Sequence, residues 1–561
     1  MAEEFNGFFA SVFTTEDVSN VPVVVPDPRI AKLTTIVFSR NEIHQILKKV
    51  KAGSSPGPDG IHPMILKECA SEMASPLYDL FVKLFEMGRI PTAWKAGNIT
   101  PIHKKGSKVQ VENYRPISLT SVVSKCMEKI VRDRLLKHMM SNGILSERQH
   151  GFVPGRSCTT QLLEVMDLWT EALEEGVAID AVYLDFAKAF DTVPHARMMA
   201  KLQGCGIDGA VLEWIRSFLT ERRQRVCIRG NESSWSAVRS GIPQGTVLGP
   251  ILFVIYINDL PGVIASYLYM YADDTKIFRI IRDDGDGDLL QRDLEAASEW
   301  CRKWQLSFNR DKCKVMEVTG TGGKGRACTH QYTLEANGTC AVLERSTEER
   351  DLGVMVSGDL VFQVHIEKTV AKALQILGLV KRTLVYFDVD TVRMLYCALV
   401  RPHLEYANVV WHPRYKKHVS MLEKVQRKAT RLLPGMEMKS YEERLRVLRL
   451  PSLVYRRFRG DAIEIYKHTH DTCMRIPLEN RSTVITRGHP YKLVKERVRL
   501  DQRANYLFNR MAEAWNRLPA EVVMATSVNA FKGKFDRHYA DRMQVTNPDQ
   551  LYIAYGEMDV S

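Results

Sequence analysis

The chain of 561 residues sets 78 lysines and arginines against 66 aspartates and glutamates, a formal charge of +12, with 45% hydrophobic and 26% charged residues. That make-up is ordinary for a globular protein of several packed units, and the excess positive charge suits a polyanionic partner. No apolar run is long enough to span a bilayer and no charged-then-apolar leader follows Met1, so the sequence predicts an intracellular protein of nucleus or cytoplasm with no membrane partner.

The eleven cysteines include no C-x-x-C pair, against both a disulfide framework and a zinc knuckle. His403, His412 and His418 lack ligand spacing and are expected to be surface or phosphate-facing histidines.

Residues 3–13 predict a short helix and residues 21–28, rich in Val and Pro, an extended linker. Helical periodicity starts at Asn41, with Ile43, Ile46, Leu47 and Val50 on one face, breaks at 53–60 and resumes over 62–88. A strand at 98–103 and helices at 122–140 and 160–175 precede an apolar strand, Ala181-Val182-Tyr183-Leu184-Asp185-Phe186. A hairpin around Gly230-Asn231-Glu232, a helix over 247–260 and a second hairpin at Tyr271-Ala272-Asp273-Asp274-Thr275-Lys276 follow. Residues 284–288 read as a Gly/Asp loop without the spacing of a calcium loop, and 289–304 as a helix. Then come a strand at 313–318, a Gly-rich turn at 319–324, and an Asn337-Gly338 hairpin turn between strands at 332–334 and 340–343. From Phe362 the pattern is helical almost to the end, with basic residues gathered at 416–418, 424–431 and 444–459. Helices, then interleaved strands and helices, then an all-helical tail predict an α+β protein.

Two adjacent carboxylates at a hairpin tip repel each other. Asp273 and Asp274 therefore read either as a solvated turn or as ligands of a divalent cation. Asp185, closing its strand, is either a cap for the next helix or a third carboxylate brought against that turn. In the second case the three would suit two Mg²⁺ ions at a phosphoryl-transfer site.

The words Asp185-Phe186-Ala187-Lys188-Ala189-Phe190-Asp191, Ser240-Gly241-Ile242-Pro243-Gln244-Gly245 and Tyr271-Ala272-Asp273-Asp274 resemble, in order and spacing, the three palm motifs of reverse transcriptases. Ser55-Pro56-Gly57-Pro58-Asp59-Gly60, Asn113-Tyr114-Arg115-Pro116-Ile117-Ser118-Leu119, Gln149-His150-Gly151-Phe152 and Gly249-Pro250-Ile251-Leu252-Phe253 narrow the resemblance to the polymerases of non-LTR retrotransposons, particularly jockey-like elements, over about residues 40–440.

The resemblance implies a right-hand polymerase: an extension or linker at 1–40, fingers and the start of the palm at 41–180, and an antiparallel palm with fingers insertions at 181–345. The palm end and helical thumb would occupy 346–435, with a helical region of unassigned role at 436–561. It implies RNA-templated synthesis of DNA from a primer and dNTPs. Asp185 and Asp273 would be the direct ligands of two Mg²⁺, with Mn²⁺ as a substitute, and Asp274 the less direct one.

Phe190 maps onto the aromatic gate against a ribose 2′-OH, Gln244 and Gly245 onto the nucleotide pocket, and Arg115 onto the residue gripping the triphosphate, assisted by Lys104 or Lys105. Lys312, with Lys314 as its rival, maps onto the lysine serving the leaving pyrophosphate, and Leu352-Gly353 onto the hairpin that steadies the primer end. Full-length relatives carry an endonuclease ahead of the polymerase. With fingers-like sequence beginning within about forty residues of Met1, this chain is expected to lack it. An RNA-directed RNA polymerase is disfavoured by Ala272 at the Asp-Asp turn, by Pro243-Gln244-Gly245 and by the aromatic at 190, and a catalytically inactive or domesticated nucleic-acid-binding protein is the alternative function.

Overall fold

The strand Ala178–Asp185 is almost wholly buried, and a five-stranded sheet is laid out around it. The computed structural model describes residues 1–321, 330–336, 338–384, 386–470 and 488–552. Across the sheet the order is Glu344–Ser346, Lys314–Val318, Ala178–Asp185, Asp274–Ile281, Tyr267–Tyr271, antiparallel except for the short Glu344–Ser346 edge.

Alternation along these strands divides the molecule. Val182, Leu184, Ile277 and Val315 point into a core made with the helices Val122–Ser141, Gly209–Leu219, Gly249–Ile257 and Asp284–Trp304. Ile179, Ala181, Phe278 and Met316 point the other way, into a core shared with Cys158–Glu174 and the C-terminal helices. That second core runs without a break across residue 436: Leu422 and Val425 join Tyr455, Phe458, Trp515 and Phe535 in one cluster. Residues beyond 436 therefore share the hydrophobic core of those before it.

A second five-stranded sheet is built from Tyr114–Leu119, Ala96–His103, Arg222–Ile228, Asn231–Glu232 and Ser236–Val238. Its hairpin turn is Arg229-Gly230, both at positive φ. Asn231 and Glu232, expected in the turn, already pair with Ile228 and Cys227.

The first forty residues, expected to be an extension or linker, are docked. Helix Ala2–Ser11 buries Phe5 and Phe9 against Ile99 and Val226, and the Asn6 amide donates to Ser234 O and Ser236 Oγ. The Glu16 carboxylate accepts from the Ala196 and Arg197 backbone N–H groups, and Leu33 bridges to Ile207. Residues 21–28 are extended, as Val and Pro dictate, but partly buried side chains such as Val24 tie them down.

Residues 284–288 are no loop: they are the first turn of helix Asp284–Trp304. Asp283 caps it, accepting from the Asp286 N–H, and acids in a first turn favour the positive end of the helix dipole. The hairpin Glu348–Asp351/Val354–Ser357 forms around Leu352-Gly353, where the resemblance implies one, although its first strand, Glu-Glu-Arg-Asp, carries no apolar residue. Asn337 and half of the turn expected at 319–324 lie outside the described residues. Among the described residues no helix is long and apolar enough to cross a membrane.

Candidate active site

Register brings two of the carboxylates together. Asp185, the last residue of its strand, lies directly opposite Asp274, the first residue of the next. Asp185 caps no helix, since Lys188 precedes the short turn Ala189–Thr192. Across the hairpin Tyr271 pairs with Asp274, which leaves Ala272 and Asp273 as a two-residue turn within the six residues expected to form the hairpin.

Ala272 takes a left-handed φ of 56°, a conformation that costs a non-glycine residue energy. Its N–H is held by the buried Gln149 Oε1 at 3.0 Å, which also accepts from the Gly151 N–H at 2.7 Å. A Cβ on Gly151 would sit 2.4 Å from Ala272 N, so the Gln149-His150-Gly151 word acts as the cradle that fixes this turn.

The charges around the turn are strained. Asp274 is pushed up to about 6, first by desolvation at the cleft floor and then by Asp273, Asp185 and Asp351. Asp273 is also raised, chiefly by desolvation, although Arg115 pulls the other way. Lys104 is lowered by desolvation and by the nearby Arg115 and Lys312 cations.

Lys312 Nζ donates to Asp185 Oδ2 at 2.6 Å, positioned by Asn309, whose N–H donates to Asp185 O at 2.6 Å. Its rival Lys314 is engaged instead by Glu344. Lys104, Lys105, Asp185, Asp274, Lys312 and Leu352 line one cleft of about 360 Å³.

Carboxylates held together against their own repulsion fit a hard divalent cation. Among the described residues, however, no three or more His, Cys, Asp or Glu side chains close into a preformed ligand cage. Mg²⁺ characteristically takes few carboxylates and completes its shell with water and substrate phosphates, which suits an open acidic floor beneath cationic walls.

Residues 102–378 match the family model described as reverse transcriptase (RNA-dependent DNA polymerase). The chain carries a reverse transcriptase domain. It is 26% identical over 414 residues to the probable RNA-directed DNA polymerase from transposon X-element of Drosophila melanogaster, covering 71% of this chain and 44% of that protein. With the RNA-directed DNA polymerase from mobile element jockey of Drosophila funebris it shares 28% over 413 residues, covering 70% and 43%. With the retrovirus-related Pol polyprotein from type-1 retrotransposable element R2 of Popillia japonica it shares 27% over 333 residues, covering 56% and 44%. The aligned part of the chain spans less than half the length of each of these relatives.

Within the reverse transcriptase domain the Gln244-Gly245 turn abuts the Tyr114–Leu119 strand that carries Arg115. The Ser118 N–H donates to Gln244 O at 2.8 Å, and a Cβ on Gly245, at φ 102°, would meet Ser118 O at 2.7 Å. Glycine is required there by conformation and by space. The Gln244 amide donates to Asp191 Oδ1 at 3.0 Å, and burial pushes Asp191 up to about 6. Asp191, quoted within the motif but given no role, is thus the partner that orients Gln244. Both line a small cavity with Lys188 and the docked Phe9 and Phe13, separate from the carboxylate cleft.

Phe190 is half-buried and stacks on Phe253 with centroids 4.5 Å apart.

The basic tail differs from expectation. His412 and His418 are buried rather than surface or phosphate-facing, and Arg444 and Arg457 are buried too. Arg456 is closed onto Glu405 and Arg459 onto Asp536. Lys416, Lys417, Lys424, Arg427, Lys428 and Arg431 remain exposed.

Proposed function

We propose that this chain extends a primer on an RNA template with dNTPs, working as a right-hand polymerase. In that reading the Tyr114–Leu119 sheet and its helices are fingers, the sheet centred on Ala178–Asp185 is the palm, and the helices between residues 362 and 435 are the thumb. The observation that carries the reading is the juxtaposition of Asp185 and Asp274 in register, with Asp273 on the adjoining turn, beside Lys104, Arg115 and Lys312.

Asp185, Asp273 and Asp274 would hold two Mg²⁺, or Mn²⁺ in their place, which supply charge neutralisation for the attacking and leaving oxygens. The side chains do the rest. The planar guanidinium of Arg115 and the Lys104 ammonium bind and orient the triphosphate, and Lys312 neutralises the departing pyrophosphate. Gln244 and Gly245 shape the pocket wall. Phe190 occupies space beside the sugar C2′ and excludes a ribonucleotide sterically. The partners are an RNA template, a DNA primer or target, and dNTPs, handled in the nucleus or cytoplasm.

The test is primer extension by the purified chain on one RNA template with Mg²⁺, comparing dNTPs with rNTPs. Extension with dNTPs alone is expected. Tight duplex binding with no product from either set would replace the polymerase by a binding protein of the same fold, and preferential rNTP use would make it an RNA polymerase.

A further inference from the structure

Lys276 sits two residues beyond Asp274 on the strand Asp274–Ile281 and is only 3% exposed. An ammonium so deeply buried demands a partner. It has one in Asp351, itself 5% exposed, whose carboxylate accepts from Lys276 Nζ. The buried Tyr183 hydroxyl, opposite Lys276 in register on the central strand, faces the same carboxylate. Buried ion pairs are poor sources of net stability, because desolvation of two charges offsets most of their attraction, so the pair calls for another explanation.

The sheet topology supplies it. Asp351 belongs to the hairpin Glu348–Asp351/Val354–Ser357, a two-stranded sheet with no strand pairing to the five-stranded sheet among the described residues. Its far end is tied by backbone: the Thr319 and Gly320 N–H groups both donate to Gly358 O at 3.0 Å. The near end is the Leu352-Gly353 turn, and its ties are made by side chains. Tyr406 Oη donates to Leu352 O at 2.7 Å from one side, and Lys276 grips Asp351 from the other. Leu352 and Asp351 line the same cleft as Asp185 and Asp274.

We propose that Lys276 and Asp351 are a positioning pair: a buried clamp that sets the distance between the Leu352-Gly353 turn and the carboxylates, and with it the seat of the primer's 3′ terminus. This rests on the polymerase reading above. Neither residue touches substrate in the proposal. Their work is to make a side-chain contact do what strand pairing does elsewhere in the sheet.

The experiment is the double variant Lys276→Met/Asp351→Leu in the full chain, which removes both charges at similar volume and so leaves no unpaired charge. Urea unfolding establishes that it folds. Steady-state primer extension with Mg²⁺ then gives kcat and the dNTP KM, and hydrogen exchange follows the amides of residues 348–357.

The expected result is a folded variant with unchanged duplex affinity and dNTP KM, kcat lowered about a hundredfold by the displaced terminus, and weaker protection of the hairpin. A folded variant that keeps either wild-type kcat or wild-type hairpin protection overturns the proposal. Should the double variant not fold, Asp351→Asn is judged by the same two readouts. A wild-type chain that makes no product refutes the polymerase reading instead, and the exchange data alone then decide whether the pair pins the hairpin.

Discussion

In the cleft at the end of the central sheet, Asp273 and Asp274 are held above the usual carboxylate range and Lys104 below the usual lysine range. In the C-terminal helices the charges are resolved within the chain. Arg510 donates to both oxygens of the fully buried Asp461, Arg503 closes onto Asp167 and Glu496, and Arg456 and Arg459 take Glu405 and Asp536.

Both regions look alike as runs of charge in the sequence. The cleft keeps its carboxylates crowded and raised, whereas the tail has spent its buried charges on holding its own helices together. Unresolved charge in a cleft marks a candidate binding site.

The sharpest break of this comparison is Asp273→Asn. Removing one carboxylate from the turn should lower primer extension by at least about a thousandfold while duplex binding and the unfolding midpoint hold. Ordinary extension by the folded variant would remove Asp273 from the chemistry.

Arg510→Met should do the reverse. It leaves Asp461 in the core with the Tyr552 hydroxyl donating to it and His412 Nδ1 3.6 Å away, so urea unfolding should register a loss of about 3–5 kcal/mol, with kcat of the remaining folded protein near wild type. A stable but inactive variant would place Arg510 in the active region instead.

Phe190→Ala probes the wall between core and site. Losing the stack on Phe253 should cost roughly 3 kcal/mol or more, so the quantity to measure is the ratio of rNTP to dNTP incorporation in folded protein, expected to rise at least about tenfold. A wild-type ratio would make Phe190 packing alone.

Acid should separate the two regions by sign. His365 is driven down to about 4 by burial, helped by Arg350 and Lys368, and accepts from the Met355 N–H. Because its folded value lies below the unfolded one, its contribution is complete above about 6.5 and is lost as pH falls toward 4, on the order of 2 kcal/mol. Asp274 acts oppositely: raised in the fold, it weakens the apo protein as pH rises from about 4 to 6, and Mg²⁺ should restore that loss. Thermal unfolding of His365→Gln against wild type between pH 7 and 4.5 should show a flatter acid limb; identical limbs would mean that His365 does not titrate in this range.

The smallest effect concerns the charges the tail left free. Lys424 and Lys428, exposed one turn apart on helix Lys416–Thr430, should each reduce the slope of log duplex affinity against log salt by about one when changed to Gln. An unaltered slope would show that this face does not meet phosphate.

The grouping of Asp185 with the Asp273-Asp274 turn was legible because these residues lie in short contiguous words. A strand ending in Asp185 and a turn carrying Asp273 and Asp274 each announce themselves locally, and the core face of the helix Arg40–Lys48, with Ile43 and Leu47 fully buried, follows from periodicity alone. Residues 284–288 misled because glycines and aspartates look like a loop until the Asp283 cap and the helix dipole are counted.

What the sequence determined by itself was therefore the α+β order of elements and the inventory of chemical groups, since both depend on neighbours within a few positions. Tertiary structure decided which charges are free. Whether Arg456 reaches an RNA phosphate or Glu405, whether Lys276 is a surface lysine or a buried clamp, and whether residues 1–40 swing or dock all depend on partners far away in the chain. Local sequence carries no trace of a partner 51 or 75 residues away, and burial, which fixes the cost of leaving a charge unpaired, exists only once the sheets and helices have closed on one another.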